Sequence, residues 1–306
     1  MKRCFLNERL KNIFLKNRDM RFIKMTGGLG NQMFIYAFYM RMKKHYSNSR
    51  IDLSDMVHYK AHNGYEMHRV FNLPPIEFRI NQPLKKVIEF LFFKKIYERK
   101  QVPSSLVPYD KKYFWPLIYF KGFYQSERFF ADMADDIRKA FTFNLRLSNK
   151  KTKEMSEQID HDENAVSIHV RRGDYLEPKY WKTTGCVCQL PYYLNAIAEM
   201  NKRISQPSYY VFSDDIAWVK ENLPLPKAFF IDWNKGTESW QDMMLMSRCR
   251  HHIICNSTFS WWGAWLNPRE NKTVIMPERW FRHCETPDIC PDKWIKVPIN
   301  QPDSIQ

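Results

Sequence analysis

Two adjacent arginines, Arg171 and Arg172, stand in the run His169-Val170-Arg171-Arg172-Gly173-Asp174-Tyr175, directly after the apolar stretch Ala165-Val166-Ser167-Ile168. A guanidinium stays charged at any physiological pH and grips phosphate oxygens two at a time. The apolar stretch reads as a buried strand, and open α/β sheets bind ligands at the carboxyl ends of their strands. Two forked cations beside a glycine at such an end predict a diphosphate site. Arg-Arg pairs are also common on solvated surfaces, so the meaning of this one depends on its company.

Two further segments share the order of strand, small-residue turn and helix. Arg21 to Met25 leads through Thr26-Gly27-Gly28-Leu29-Gly30-Asn31-Gln32 into Met33 to Met40. Glycines such as Gly28 and Gly30 let a ligand approach the backbone, and the start of the following helix attracts anions. The turn matches neither the dinucleotide fingerprint nor the P-loop, lacking the third glycine of one and the Gly-Lys-Ser/Thr of the other. Ile253-Ile254-Cys255 leads through Asn256-Ser257-Thr258 into Phe259 to Leu266. Asn256, Ser257 and Thr258 are good N-cap types whose hydroxyls, with the amides behind them, suit phosphate oxygens. An ordinary cap before a packed aromatic helix reads the same residues equally well.

The elements that must position these turns follow from the pattern of apolar residues. Tyr209–Phe212, Ala228–Ile231 and Thr273–Met276 read as buried strands, while Tyr192–Arg203, Ile216–Asn222 and Trp240–Arg250 read as helices. Residues 148–163 are polar, with only Met155 and Ile159 as apolar punctuation, and predict a linker or exposed helix between two halves. Strands alternating with helices point to parallel sheets with crossover helices.

The chain has 306 residues, 44% of them hydrophobic, and ten tryptophans, which excludes a disordered polypeptide. No apolar run reaches the length of a membrane span, and residues 1–20 lack the apolar centre of a secretory signal. Seven cysteines, scattered and odd in number, make no disulfide framework and indicate a reducing compartment, the cytoplasm. Neither Cys186-Val187-Cys188 nor His283-Cys284 with Cys290 has zinc spacing. A formal net charge of +15 invites a nucleic-acid-binding reading, yet the basic residues are spread along the chain without a recognition motif. More locally, Lys85, Lys86, Lys94, Lys95, Arg99 and Lys100 flank Leu84, Val87, Ile88, Leu91 and Phe92 at helical spacing. Such a helix is a candidate for peripheral contact with anionic lipid on the inner face of the plasma membrane; a core helix with solvated lysines is the alternative.

Taken together, Gly27-Gly28-Leu29-Gly30-Asn31-Gln32-Met33-Phe34, the Gly64-to-Leu73 run, the His169-to-Tyr175 run, Phe212-Ser213-Asp214-Asp215 and the Asn256-to-Ala264 run make the chain resemble glycosyltransferase family 11, the α-1,2-fucosyltransferases, in its bacterial form. The likeness extends from about residue 20 to residue 280 with the motifs in the family's order. It implies an α/β fold of GT-B type, two facing Rossmann-like domains with parallel sheets. Residues 1–150 are then the acceptor-side domain and residues 151–306 the GDP-sugar-binding domain.

The implied chemistry is inverting transfer of L-fucose from GDP-β-L-fucose to the 2-hydroxyl of a galactose residue, with a galactose-terminated glycan, lipid-linked in surface polysaccharide synthesis, as acceptor. Charge gathers on the β-phosphate as the bond breaks, through an oxocarbenium-like transition state. Arg171 matches the family's first motif arginine and is expected on that phosphate, with Arg172 binding phosphate or holding the loop. Asn31 is placed beside the diphosphate or the acceptor hydroxyl, and Ser257, Thr258 and Ser260 offer hydroxyls or amides to phosphate. Asp214 or Asp215 is expected to accept from guanine, the other capping the next helix, with His169 as a second guanine or ribose contact. Asp174, Glu66 and Glu177 are candidates for general base by position, although Asp174 is equally placed to orient an arginine.

No cofactor is expected. A metal-dependent transferase needs an Asp-x-Asp after a strand, and the only match, Asp160-His161-Asp162, stands ahead of one. A non-catalytic sugar-binding module would account for Trp261 and Trp262 but needs no diphosphate site; these two are expected to pack in the core. The acceptor is not encoded legibly in residues 95–120 or Tyr180–Gln189.

Overall fold

Arg21–Lys24 (β1) takes Phe22 and Ile23 into the interior and pairs in parallel with Ser49–Asp52 (β2) on one side and Tyr119–Phe120 (β3) on the other. These coordinates belong to a computed structural model, which describes residues 20–57, 59, 62–76, 78–80, 83, 119–283 and 286–299. Leu29–His45 (α1) follows the glycine turn and buries most of its first ten residues, from Leu29 to Phe38. The basic segment 84–100, residues 1–19 and Cys284 lie outside the described residues. No helix among the described residues is long and apolar enough to cross a membrane.

The second sheet is larger. Its strands are Ala165–Val170 (β4), Ser208–Ser213 (β5), Ala228–Ile231 (β6), His251–Ile253 (β7), Val274–Pro277 (β8) and Ile295–Val297 (β9), all parallel. Every residue of β4 is buried, as a strand covered on both faces requires. The order is β6-β5-β4-β7-β8-β9, so the chain winds outward from β4 in one direction and from β7 in the other. This is the Rossmann order, with its switch point between β4 and β7. Ligands of such sheets bind in the crevice at that point, beyond the carboxyl ends of the strands. The two-sheet α/β arrangement implied by the family resemblance is therefore the one adopted.

Between the sheets, the polar stretch predicted as linker or exposed helix is a helix, Lys150–Asp160 (α2), whose N-terminus is capped when Asn149 accepts from Thr152 N at 2.9 Å. Leu190–Arg203 (α3), Ile216–Asn222 (α4), Trp240–Arg248 (α5) and Thr258–Leu266 (α6) complete the large half. One apolar cluster crosses both halves. Phe34 of α1 lies 4.5 Å from Trp261 and 4.9 Å from Trp262, while Phe130 stacks on Trp262 at 5.6 Å. Trp261 and Trp262 are fully buried, in the core rather than on a sugar-binding surface. Aromatic contacts of this kind add roughly 0.5–1.5 kcal/mol each beyond simple burial.

Candidate active site

Arg171 is the first residue beyond β4, and two carboxylates fix its fork. Asp174 Oδ1 accepts from Nε and from a terminal nitrogen, both at 2.9 Å, and Asp214 Oδ2 lies 3.3 Å from Nε. Burial works against the positive charge, but Asp214 and Asp174 outweigh it and raise the pKa of Arg171 above its ordinary value. The Arg171 side chain is one-third exposed.

Arg172 turns the other way. It reaches Asp215 Oδ2 at 3.0 Å and lies 4.1 Å above the ring of Trp218, a cation–π contact that holds the loop to α4. Its main-chain N–H donates to Asp214 Oδ1 at 2.8 Å. Asp215 also caps α4 by accepting from Trp218 N at 3.1 Å. Asp215 is thus the expected helix cap and also pairs with Arg172, whereas both oxygens of Asp214 serve the arginine loop.

His169, the penultimate residue of β4, is buried, with Nδ1 3.2 Å from Cys255 Sγ. Burial first, and then the charge of Arg171, holds its pKa down to about 4. It is neutral at physiological pH. Burial likewise pushes the Cys255 thiol up to about 12. Cys188, Cys249, Cys255 and Cys290 are unbridged.

Across the switch point, Ser257 caps α6 by accepting from Phe259 N at 3.3 Å. Ser257 and Thr258 are partly exposed, whereas Asn256 and Ser260 are buried. The side-chain amide of Asn256 donates to the carbonyls of Thr184 at 2.9 Å and Trp280 at 3.0 Å, and its main-chain carbonyl accepts from the Tyr175 hydroxyl at 3.1 Å. Ser260 donates to the carbonyl of Ser257 at 3.2 Å. These two residues tie loops together, and the side chains that stay partly exposed at the helix start are those of Ser257 and Thr258.

The glycine turn before α1 packs directly against this helix start. Gly27 has φ +84°, a left-handed conformation that glycine adopts without strain. A Cβ on Gly30 would lie 2.6 Å from Thr258 Oγ1, so Gly30 serves close approach of the two helices rather than contact with a ligand. The start of α1 has no side-chain cap, leaving its first amides available. Asn31 is partly exposed and accepts from Gln125 at 2.8 Å. Gln32, buried behind the turn, donates to the carbonyls of Gly27 at 2.9 Å and Gly64 at 2.7 Å and accepts from Glu66 N at 3.0 Å. The two N-terminal motifs are thereby one structure.

Among the proposed bases, Glu66 is buried and held by Asn63 at 3.2 Å and Arg69 at 2.9 Å, and burial raises its pKa. Glu177 is exposed and paired with Lys179 at 2.8 Å. A residue not singled out from the sequence stands within the electrostatic reach of Arg171 and Asp174. His62, with φ +56°, lays its ring on Gly28, where an added Cβ would meet ring atoms at 3.2 Å. Packing against the turn and the charge of Arg171 lower its pKa, with Asp174 pulling the other way. Its proximity to the Gly64-Tyr65-Glu66 motif was the one hint in the sequence.

The site therefore joins an oriented arginine, the starts of two helices and the imidazole of His62 at the switch point of a parallel sheet. The profile of Glycosyl transferase family 11 matches residues 11–297. The chain belongs to glycosyl transferase family 11. Within that family, Alpha-1,2-colitosyltransferase of Escherichia coli is 32% identical over 293 residues, 90% of this chain and 97% of that protein. The O-antigen biosynthesis glycosyltransferase WbnK of Escherichia coli is 36% identical over 140 residues, 45% of this chain and 46% of the relative. Galactoside alpha-(1,2)-fucosyltransferase 1 of Ateles belzebuth is 31% identical over 160 residues, 49% of this chain and 43% of the relative. With these last two, the match spans less than half of the relative's length. The chain is a family 11 glycosyltransferase.

Proposed function

We propose that this family 11 enzyme transfers L-fucose from GDP-β-L-fucose to the 2-hydroxyl of a galactose residue, with inversion and without a divalent metal. The carrying observation is the position of Arg171 beside the β4–β7 switch point, its fork set by Asp174 and Asp214. A donor held there presents its β-phosphate to a preorganised cation and to the start of α6, which together stabilise charge on departing GDP. The acceptor hydroxyl attacks from the opposite face, on the side of the glycine turn. The Asp-x-Asp pair is engaged elsewhere: Asp160 pairs with Arg248 at 2.9 Å, and Asp162 accepts from Tyr210 at 3.0 Å, at the amino end of β4. The likeness to an O-antigen biosynthesis glycosyltransferase favours a role in surface polysaccharide assembly.

The colitosyltransferase match over nearly the full length of both chains supports a second reading, in which the donor carries another 6-deoxy sugar. Incubation with GDP-fucose or GDP-colitose, a panel of β-galactosides, and EDTA or magnesium, followed by mass spectrometry and NMR, separates the two. Fucosylation at the 2-hydroxyl that survives EDTA is the expected result. Exclusive use of GDP-colitose would replace the donor assignment, and activity restored only by magnesium would remove the metal-independent step.

A further inference from the structure

We propose that His62 is the general base that takes the proton from the acceptor hydroxyl. The assignment rests on the function proposed above and identifies the group that its attacking step requires. His62 belongs to the small-sheet half, yet its ring lies on the Gly28 turn, which adjoins the start of α6, and it feels the charges of Arg171 and Asp174 of the large half. The residue remains open to solvent, so a sugar hydroxyl can reach a ring nitrogen. The backbone at φ +56° is uncommon for a residue with a side chain, and strain of this kind is concentrated at functional positions.

The carboxylates nearby are otherwise engaged. Asp174 accepts twice from Arg171, Glu66 is buried between Asn63 and Arg69, and Glu177 is paired with Lys179. The groups that face His62 are Arg171 and Asp174 from the other half and Tyr59 from its own loop, with ring centroids 6.3 Å apart. Packing and Arg171 favour the neutral imidazole, which is the form that accepts a proton. Arrival of an anionic diphosphate on Arg171 offsets that positive charge and makes the imidazole more basic when the hydroxyl attacks. In the transfer, the new oxygen–C1 bond forms as the C1–O bond to the β-phosphate breaks. The proton passes to the His62 imidazole, and the electron pair of the broken bond leaves with GDP.

Two variants test this assignment. In His62→Gln, kcat for transfer should fall about 10²–10⁴-fold and the acid limb of the pH–rate profile should disappear, while thermal stabilisation by GDP is kept. His62→Gly relieves the left-handed backbone, and added imidazole should restore part of its activity. A His62→Gln enzyme with kcat within threefold of the parent, a retained acid limb, or loss of GDP stabilisation would each overturn the assignment, as would failure of imidazole to restore the glycine variant. If the parent itself transfers sugar from neither donor, the functional reading falls and this proposal with it. An active parent with an equally active His62→Gln variant removes the base alone.

Discussion

The indole N–H of Trp262 donates to the main-chain oxygen of Gly30 at 2.9 Å, joining residues 232 positions apart. The bond locks the start of α1 against α6, at the contact where a Cβ on Gly30 would lie 2.7 Å from the Thr258 carbonyl carbon. Trp262→Phe keeps an aromatic ring but removes the donor, and should lower unfolding stability by about 1 kcal/mol. Gly30→Ala must push the two helices apart and should cost more, roughly 1–3 kcal/mol. Urea denaturation measures both, and unchanged midpoints would show that this junction does not bear on stability.

One oxygen of Asp174 accepts from Nε and from a terminal nitrogen of Arg171, so we propose that it orients that fork rather than acting on the sugar. Asp174→Asn weakens a charge-assisted contact and should lower kcat about 10–100-fold while leaving the acid limb of the pH–rate profile in place. Loss of that limb would make Asp174 the base and contradict the orienting role.

Stability should rise with pH between about 4 and 6.5 through His169. Its pKa is about 4 in the folded protein against 6.5 when unperturbed, so within that window the unfolded chain binds a proton that the native protein excludes. The slope approaches roughly 1.4 kcal/mol per pH unit for one such group. His252, fully buried, acts in the same direction. Asp242, raised by burial to about 7, acts in the opposite one, favouring the native state at the acid end. Both are common to parent and variant, so the comparison of His169→Asn with the parent isolates the His169 part. Denaturation at pH 5 and pH 7 should show a smaller pH dependence in the variant; equal dependence would mean that His169 is protonated in the native protein.

The large half was legible where the chain is locally consistent. Ala228–Ile231 and Ile216–Asn222 stand where the apolar pattern placed them, and β4 extends the expected Ala165–Ile168 by two residues that are also buried. The short strands were not legible. β2 reads Ser-Arg-Ile-Asp, and β3 is two residues that pair with β1 across nearly a hundred positions, so only tertiary contact makes them strands. The arginine fork and its near partner Asp174 were readable from residue type and spacing, but its second partner was not, since Asp214 reaches it from the end of another strand. His62 escaped notice for the same reason: its chemistry comes from Arg171 and Asp174, more than a hundred residues away.

The central claim is that Arg171 stabilises charge on the departing diphosphate. Its most direct test is kcat for sugar transfer by Arg171→Gln at saturating donor, in a variant shown to unfold cooperatively. The account predicts a fall of about 10²–10³-fold; transfer at the parental rate by that variant would contradict it.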